Sequence, residues 1–496
     1  MTATCCASPG KPLHLDLGGG SHASSSQAAQ GGFGELGGSS GGPAHGTAPA
    51  GASGGVGPGA LGSGTAGLAA VGSSGSAGGP TTSSGAGAGG GGPATVKLGV
   101  VVADAADSSV VSAFGLKGEA VGDPQAEAQA IIGALNAEGG IGGHRIVPVY
   151  YPTNIDSGTY SGQAQATCTA FTEDSHVAAV IGVGVDIVDL VSCLAQHNTP
   201  VIATPWVLGA IGLMDHVDMQ QYAGSLYWPN QLDPDAYTTI VDNMVSSGFL
   251  GHGDKIGLVR TDTPDTQRIT DDIIEPRLAA HGLSLTDDAV ITVNNSVADI
   301  GGPAAQISNA VLRFNTDGVN RVFFLGGTSS GPFFFMPEAN SQGYRPRYFL
   351  TSWDMPYFDA ANVPDSQLAG AQGVGWEPGL DVDLSHEPPP SAATTQCLNL
   401  MHTAGLAITD PDIEGVMTGF CDAFTLLREG LVGTTSLTPA TLRAGIANLT
   451  TFPTAETFTE GFAPGRVAGV TSFRDLTFES GCQCFQYTSG PISVGS

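Results

Sequence analysis

From Val96 onward the apolar positions fall into two kinds of run that alternate along the chain. Short β-rich runs such as Val96–Ala103 (VKLGVVVA) read as parallel strands covered on both faces. The first helical run carries its own boundary signals. Asp123 is placed to cap it and Pro124 to open it, Ala128, Ile131, Ile132 and Leu135 form an apolar stripe, and Gly139-Gly140 stops it. Strands follow at His144–Tyr150, Val177–Val183 and Pro200–Thr204, with helices around Gly162–Thr172 and Val185–His197. This βαβαβαβ series predicts a parallel sheet with right-handed crossovers, covered by helices.

A second series begins at Asp233-Pro234. It predicts helices to Ser247 and over Pro264–His281, Pro303–Phe314 and Pro332–Ser341. The strands between and after them are Lys255–Arg260, Ala289–Val293, Val319–Leu325 and Tyr348–Thr351. Helices at Ser391–Leu406, Pro411–Leu431 and Pro439–Leu449 precede a strand-like tail, Val467–Tyr487. Two similar units in one chain predict an α/β protein of two doubly wound, Rossmann-like lobes.

Composition changes this picture at the N-terminus. Residues 1–95 are almost wholly Gly, Ser, Ala, Thr and Pro, with Phe33 their single aromatic. Such a stretch cannot bury enough apolar surface to offset the entropy of ordering it, and it reads as a disordered tether. The formal net charge of −29 then belongs to the remainder. An acidic surface argues against nucleic-acid binding, which needs Lys and Arg for phosphate. No apolar run has the length of a membrane span, and no signal peptide is visible. Cys5 and Cys6, directly before the tether, resemble the lipidated start of a bacterial lipoprotein, with Cys5 the acceptor. Cys168/Cys193 and Cys397/Cys421 have similar separations and bridge consecutive predicted helices, which suggests two disulfides in an oxidising compartment. For Cys482/Cys484 the single intervening residue disfavours a bond. No Cys/His spacing indicates zinc.

Several stretches occur in an order similar to the branched-chain amino-acid-binding (leucine/isoleucine/valine) type I periplasmic proteins. They are Asn136–Ile146 (NAEGGIGGHRI), Val177–Gly184 (VAAVIGVG), Pro200–Pro205 (PVIATP), Lys255–Arg260 (KIGLVR) and Val322–Gly327 (VFFLGG). The resemblance implies a Venus-flytrap clamp with a three-strand hinge. Lobe one would hold 96–229 and 376–464, and lobe two 230–375 and 465–496. It implies an extracytoplasmic protein, secreted or lipid-anchored, that closes on a small ligand and delivers it to an ABC permease or signals to a membrane sensor. It implies neither cofactor nor catalysis.

The candidate ligand contacts are the loops after strands. In lobe one these are Ser108 and Ser109, Gly184, Val185 and Asp186, then Thr204, Pro205 and Trp206. In lobe two they are Asp265, Thr328, Ser329, Trp353 and Asp354. Thr204 stands where the family commonly holds the ligand's polar head. At Thr328 and Trp353 the chain departs from the amino-acid binders, so the expected ligand is amino-acid-like, a small carboxylate or an aromatic solute. One enzymatic alternative exists. Gly327–Gly331 matches G-x-S-x-G after a strand, with Ser329 as nucleophile, Asp354 as acid and His386 or His402 as base. The cluster Asp381, Asp383, His386 and Glu387 is compatible with a metal, but it precedes Pro388–Pro390 and reads as a solvated acidic loop.

Overall fold

The computed structural model describes residues 94–103, 122–154, 156–204, 214–293, 295–296, 301–326 and 331–494. All lie in the second of the chain's two units, Gly87–Ser496. The expected tether with Cys5, as well as Ser108, Ser109, Pro205, Trp206, Thr328 and Ser329, lies outside the described residues.

The first sheet is built from β1 (Thr95–Ala103), β2 (Arg145–Thr153), β3 (Ala179–Ile181), β4 (Val201–Ile202), β5 (Leu226–Leu232) and β11 (Ala468–Val470). Their order is β11-β5-β4-β3-β1-β2, parallel throughout. The second sheet takes β6 (Ile256–Thr261), β7 (Leu285–Ile291), β8 (Arg321–Leu325), β9 (Arg347–Thr351), β10 (Gln372–Gly375), β12 (Ser472–Glu479) and β13 (Cys484–Tyr487). The order is β13-β12-β10-β9-β8-β6-β7, with β14 (Ile492–Ser493) beside β12. Strands β6 to β10 are parallel, while β12, β13 and β14 pair antiparallel.

Helices cover both sheets. Beside the first sheet these are α1 (Pro124–Ala137), α2 (Tyr160–Thr169), α3 (Ile187–Gln196) and α4 (His216–Gln221). Beside the second sheet lie α5 (Tyr237–Ser246), α6 (Pro264–Arg268, continued helically to Ala280), α7 (Gly301–Asp317) and α8 (Pro332–Ser341). The chain then passes through α9 (Pro378–Asp381), α10 (Ala392–Thr403), α11 (Pro411–Glu429) and α12 (Pro439–Ile446), of which α10 to α12 pack on the first sheet. As expected, Asp123 caps α1 by accepting the Ala126 N–H at 2.9 Å, and Pro124 opens it.

The chain changes sheets three times. It crosses after β5, after β10 and at Thr471, between β11 and β12. The last crossing falls later than the sequence boundary at 465, because β11 pairs with β5. Residues 465–470 therefore run with the first sheet.

The turn in Asn136–Ile146 is held by side-chain and backbone bonds together. Asn136 accepts the Ile146 N–H at 2.7 Å and donates to the Ile146 carbonyl at 3.0 Å. Gly140 has φ +80°, and a Cβ there would strike the His144 carbonyl. Only glycine closes that turn.

Three differences from the sequence expectation have physical causes. Strand β7 begins at Leu285 rather than Ala289 and includes Asp287 and Asp288. It is an edge strand, and Arg313 and Arg260 pair with those two acids. Strand β5 (LYWPNQL) was not expected, since Pro, Asn and Gln break its apolar pattern, yet all seven residues are buried. Its ladder to β4 covers only Leu226 and Tyr227, so Pro229 forfeits no bond to that neighbour. The tail is three strands rather than one.

Disulfides join Cys168 to Cys193, tying α2 to α3, and Cys397 to Cys421, tying α10 to α11. Cys482 is bonded to Cys484, which one-residue spacing disfavoured. Gln483 between them adopts the left-handed region (φ +59°), and this turns the chain enough to bring the two together.

Gly373 of β10 lies opposite Leu350 of β9, and a Cβ on it would meet the Leu350 carbonyl. Gly373→Ala is expected to lower unfolding stability by about 1–3 kcal/mol. Urea denaturation should show this as a lower midpoint at an unchanged slope.

Candidate ligand site between the two sheets

Open α/β sheets bind ligands beyond the carboxyl ends of their strands. Here those ends face one another, because polar bonds join the segments that follow them. One bridge joins α4, after β4, to α6, after β6. The Asp215 N–H donates to Asp265 Oδ1 at 2.9 Å. Arg268 reaches Asp215, and its Nη2 lies 3.3 Å from both Asp218 and Asp265. The second bridge joins the start of α2, after β2, to Asn295, after β7. Tyr160 N–H donates to the Asn295 carbonyl at 2.9 Å, and Ser161 N–H to its side-chain oxygen at 3.0 Å.

Between these bridges lie the sequence candidates of the first sheet. Gly182 and Gly184 both have positive φ. A Cβ on Gly184 would press on Thr153 and Val101, so the β3–α3 loop runs directly over the ends of β1 and β2. Thr153 Oγ1 is buried and without a hydrogen-bond partner among the described residues. Val185 is buried, and Asp186 caps α3 by accepting the Asp189 N–H at 3.1 Å. Burial raises the Asp186 carboxyl to about 6. Thr204 is buried at the end of β4.

In the second sheet the candidates serve other tasks. Asp265 belongs to the Arg268 bridge, and burial raises it to about 7. Trp353 lies in the hinge, stacked on Tyr237 at 5.2 Å and edge-on to Trp376 at 4.7 Å, with its indole N–H donated to Gln231. Asp354 is sealed from solvent and accepts from the Thr351 N–H and hydroxyl. The hydrolase arrangement therefore loses its acid. His386 is paired with Asp383 at 2.7 Å. The four residues of the 381–387 cluster do not converge, since Asp381 points inward to Ser352 and Tyr487.

Sequence reasoning missed an acidic hinge interior. Glu377, Asp381, Asp422, Glu456 and Glu460 are all buried around the three crossings, and no ion pair reaches them among the described residues. Asp422 accepts from Asn230, Thr454, Ala455 N–H and Glu456 N–H. Tyr487 donates to Asp381 at 2.5 Å, and the Thr418 hydroxyl donates to Glu456. One oxygen each of Asp381, Glu456 and Glu460 has no partner among the described residues. Desolvation raises Asp381 and Asp422 to about 7 and Glu456 to about 8. Part of the formal negative charge is therefore interior and titrates near neutrality.

Residues 95–468 match the sequence profile of the family described as Periplasmic binding protein. The chain belongs to the type I periplasmic binding protein family. No curated protein sequence matches it. Among solved structures, a substrate-binding protein of an ABC transporter from Desulfitobacterium hafniense, in complex with Leu, is 15% identical with TM-score 0.53. That match covers 79% of this chain and 100% of the other. A solute-binding protein from R. palustris in complex with 4-hydroxybenzoate is 14% identical with TM-score 0.58, covering 81% and 97%. An ABC transporter substrate-binding protein from Aeropyrum pernix is 12% identical with TM-score 0.59, over the same shares of each chain. At these identities the likeness establishes the fold of two mostly parallel sheets and nothing about the ligand. No described helix of this binding protein is long and apolar enough to cross a membrane.

The hinge acids fix a pH dependence. Their folded values lie above the usual 3.9–4.3 of unfolded carboxyls. Their contribution is complete below about pH 4 and is lost as pH rises through 7 to 8. Asp215 is also partly buried, but hydrogen bonds and charge from Arg268 outweigh that and lower it. Hydrogen bonds from Arg277 do the same for Asp242. These two stabilise above pH 4 and lose their effect in acid. The thermal midpoint should therefore be highest near about pH 5 and fall towards pH 8.5. Glu456→Gln should flatten that fall and raise the midpoint at pH 8.5; an unchanged slope would refute a buried, raised Glu456.

Proposed function

We propose that this protein is an extracytoplasmic solute-binding protein whose lobes close on a small carboxylate, aliphatic or aromatic, and deliver it to an ABC permease. The observation that carries this reading is the Asp215–Asp265–Arg268 bridge, which spans the two sheets at the carboxyl ends of their strands. Family membership supports binding as the purpose of the cleft.

The committed acids favour the ligand class. Asp186 caps a helix, Asp265 pairs with Arg268, and Asp354 accepts from the Thr351 N–H and hydroxyl. Among the described residues none of these three is free to meet an ammonium group. That favours a carboxylate lacking one over an amino acid. The relative from R. palustris bound to 4-hydroxybenzoate offers a concrete probe. We assign Thr204, Gly184 and Val185 to the ligand's polar head in the first lobe. Pro205, Trp206, Ser108, Ser109, Thr328 and Ser329 complete the lining in this proposal. Trp353 supports the hinge behind it.

The test is a thermal-shift panel of 4-hydroxybenzoate, 3,4-dihydroxybenzoate, short aliphatic carboxylates and L-leucine. A true ligand at 100 times its Kd stabilises by about 2.7 kcal/mol. A shift with a carboxylate and none with leucine is expected. A shift with leucine alone would overturn the ligand class, and none with any solute would count against binding. Thr204→Val should weaken binding by roughly tenfold, the effect of one hydrogen bond to a charged group.

Arg268→Ala removes the bridging cation and leaves the Asp215 and Asp265 carboxyls without a counter-charge across the cleft. Small-angle scattering of the ligand-free variant should show a larger radius of gyration than the parent, and calorimetry a weaker Kd through the cost of closing. A variant as compact as the parent would show that the bridge does not hold the lobes.

A further inference from the structure

The β12–β13 hairpin, at the edge of the second sheet, carries a feature that ligand binding leaves unused. Its turn bears the bonded pair Cys482 and Cys484. Cys482 is exposed, whereas Cys484 is 7% exposed. The other two disulfides span sequence separations of 25 and 24 residues and tie helix to helix. A cross-link stabilises by closing a loop in the unfolded chain, and its effect falls as the loop shortens. A bond across one residue closes almost none. The hairpin is also held without it, by ladder pairs from Leu476–Tyr487 to Glu479–Cys484. Structural support does not explain this bond.

Its surroundings have a chemical arrangement. The His386 ring lies 3.7 Å (Nδ1) and 3.9 Å (Nε2) from Cys484 Sγ. Asp383 holds Nδ1 at 2.7 Å and also accepts from the Ser385 N–H and hydroxyl. Burial acts to raise Asp383, but the bonds from Ser385 and His386 prevail and keep it below the usual range. The Gln486 amide adds a donor 3.5 Å from Cys482 Sγ and 3.7 Å from Cys484 Sγ. An Asp–His pair therefore stands beside the inner sulfur, while the outer sulfur faces solvent. Exchange runs fastest when the attacked sulfur is accessible and the departing thiolate is stabilised.

We propose that Cys482–Cys484 is a thiol–disulfide exchange site for dithiols, with His386 as its proton carrier. The incoming thiol gives its proton to His386 and its thiolate attacks Cys482 Sγ. The Cys482–Cys484 bond breaks, its electron pair passes to Cys484 Sγ, and His386 returns the proton there. The second thiol of the same substrate then attacks the substrate sulfur of the mixed disulfide, and Cys482 leaves as a thiol. The dithiol is oxidised by two electrons and the cysteine pair is reduced by two. A small disulfide such as glutathione disulfide restores the pair. Asp383 is a positioning residue for His386.

The sulfurs and a His386 nitrogen lie within 4.8 Å of one another, so the reduced triad also has the makings of a soft-metal site. The experiment separates the two uses on the full oxidised chain. Limiting dithiothreitol is added, free thiols are alkylated over time, and each bond is followed by mass spectrometry. Cys482–Cys484 should open at least about tenfold faster than the other two bonds. With glutathione disulfide present, the protein should turn over a dithiol peptide. His386→Gln should slow exchange roughly tenfold and remove a step from its pH profile. Asp383→Asn should shift that step. Cys482→Ser should abolish exchange and leave solute binding intact, which keeps this outcome separate from the fate of the binding reading. Equal opening of all three bonds, a pH profile unmoved by His386→Gln, or a reduced pair that retains zinc and fails to re-form under glutathione disulfide would each overturn the proposal.

Discussion

Carboxyl groups buried without a cation are the feature around which the hinge is organised. An ionised carboxylate in an apolar interior is costly unless paired, and among the described residues none of Glu377, Asp381, Asp422, Glu456 and Glu460 has a basic partner. The fold meets that cost with protonation and hydrogen bonds. Asp422 is met by two backbone N–H groups and two side chains, and Asp381 by Ser352, Tyr487 and the Glu377 N–H. Because these donors come from both lobes and from the crossings themselves, the three hinge strands share one polar interior.

The opposite side of the clamp is built differently. At the cleft the lobes meet through Arg268 with its aspartates and through Asn295 with the start of α2. Arg268 and the Asn295 contact are partly exposed, so those bonds exchange for water at small net cost, while the Asp215 N–H to Asp265 bond is buried. The hinge groups have no such substitute, since Trp353, Tyr237 and Trp376 shut water out beside them. Separation therefore costs less at the mouth than at the hinge. For the proposed closure, that asymmetry would set the axis behind the cleft rather than through it.

Much of the fold was legible because its signals are local. The Asp123-Pro124 start of α1, the glycine turn after it and the continuous apolar strands need only neighbouring residues to be read. What escaped depends on distant partners. Strand β5 hides behind Pro229, Asn230 and Gln231, whose burial is decided by β11 and by α11 more than 190 residues away in sequence. Strand β7 carries two aspartates that only Arg260 and Arg313 make tolerable. Asp186, Asp265 and Asp354 do follow strands, but only their hydrogen bonds disclose that each is engaged. The surface assigned to the net charge was too large for the same reason, because burial of an acid leaves no mark on composition.

A shared fold at 12–15% identity makes sense if the constraints that fix it are few and lie in the backbone. Gly140 must be glycine because the His144 carbonyl occupies the place of its Cβ, and Gly184 is similarly crowded by Thr153 and Val101. Such positions preserve where each loop leaves its sheet. They say nothing about which side chain the loop then offers. Substitutions at the strand ends change the lining of the cleft while leaving sheet order, crossings and hinge untouched. Binding of different solutes by one scaffold follows from that separation. In this chain it is sharpest at Trp353 and Asp354, where the strand-end position is kept while both side chains are turned to holding the hinge.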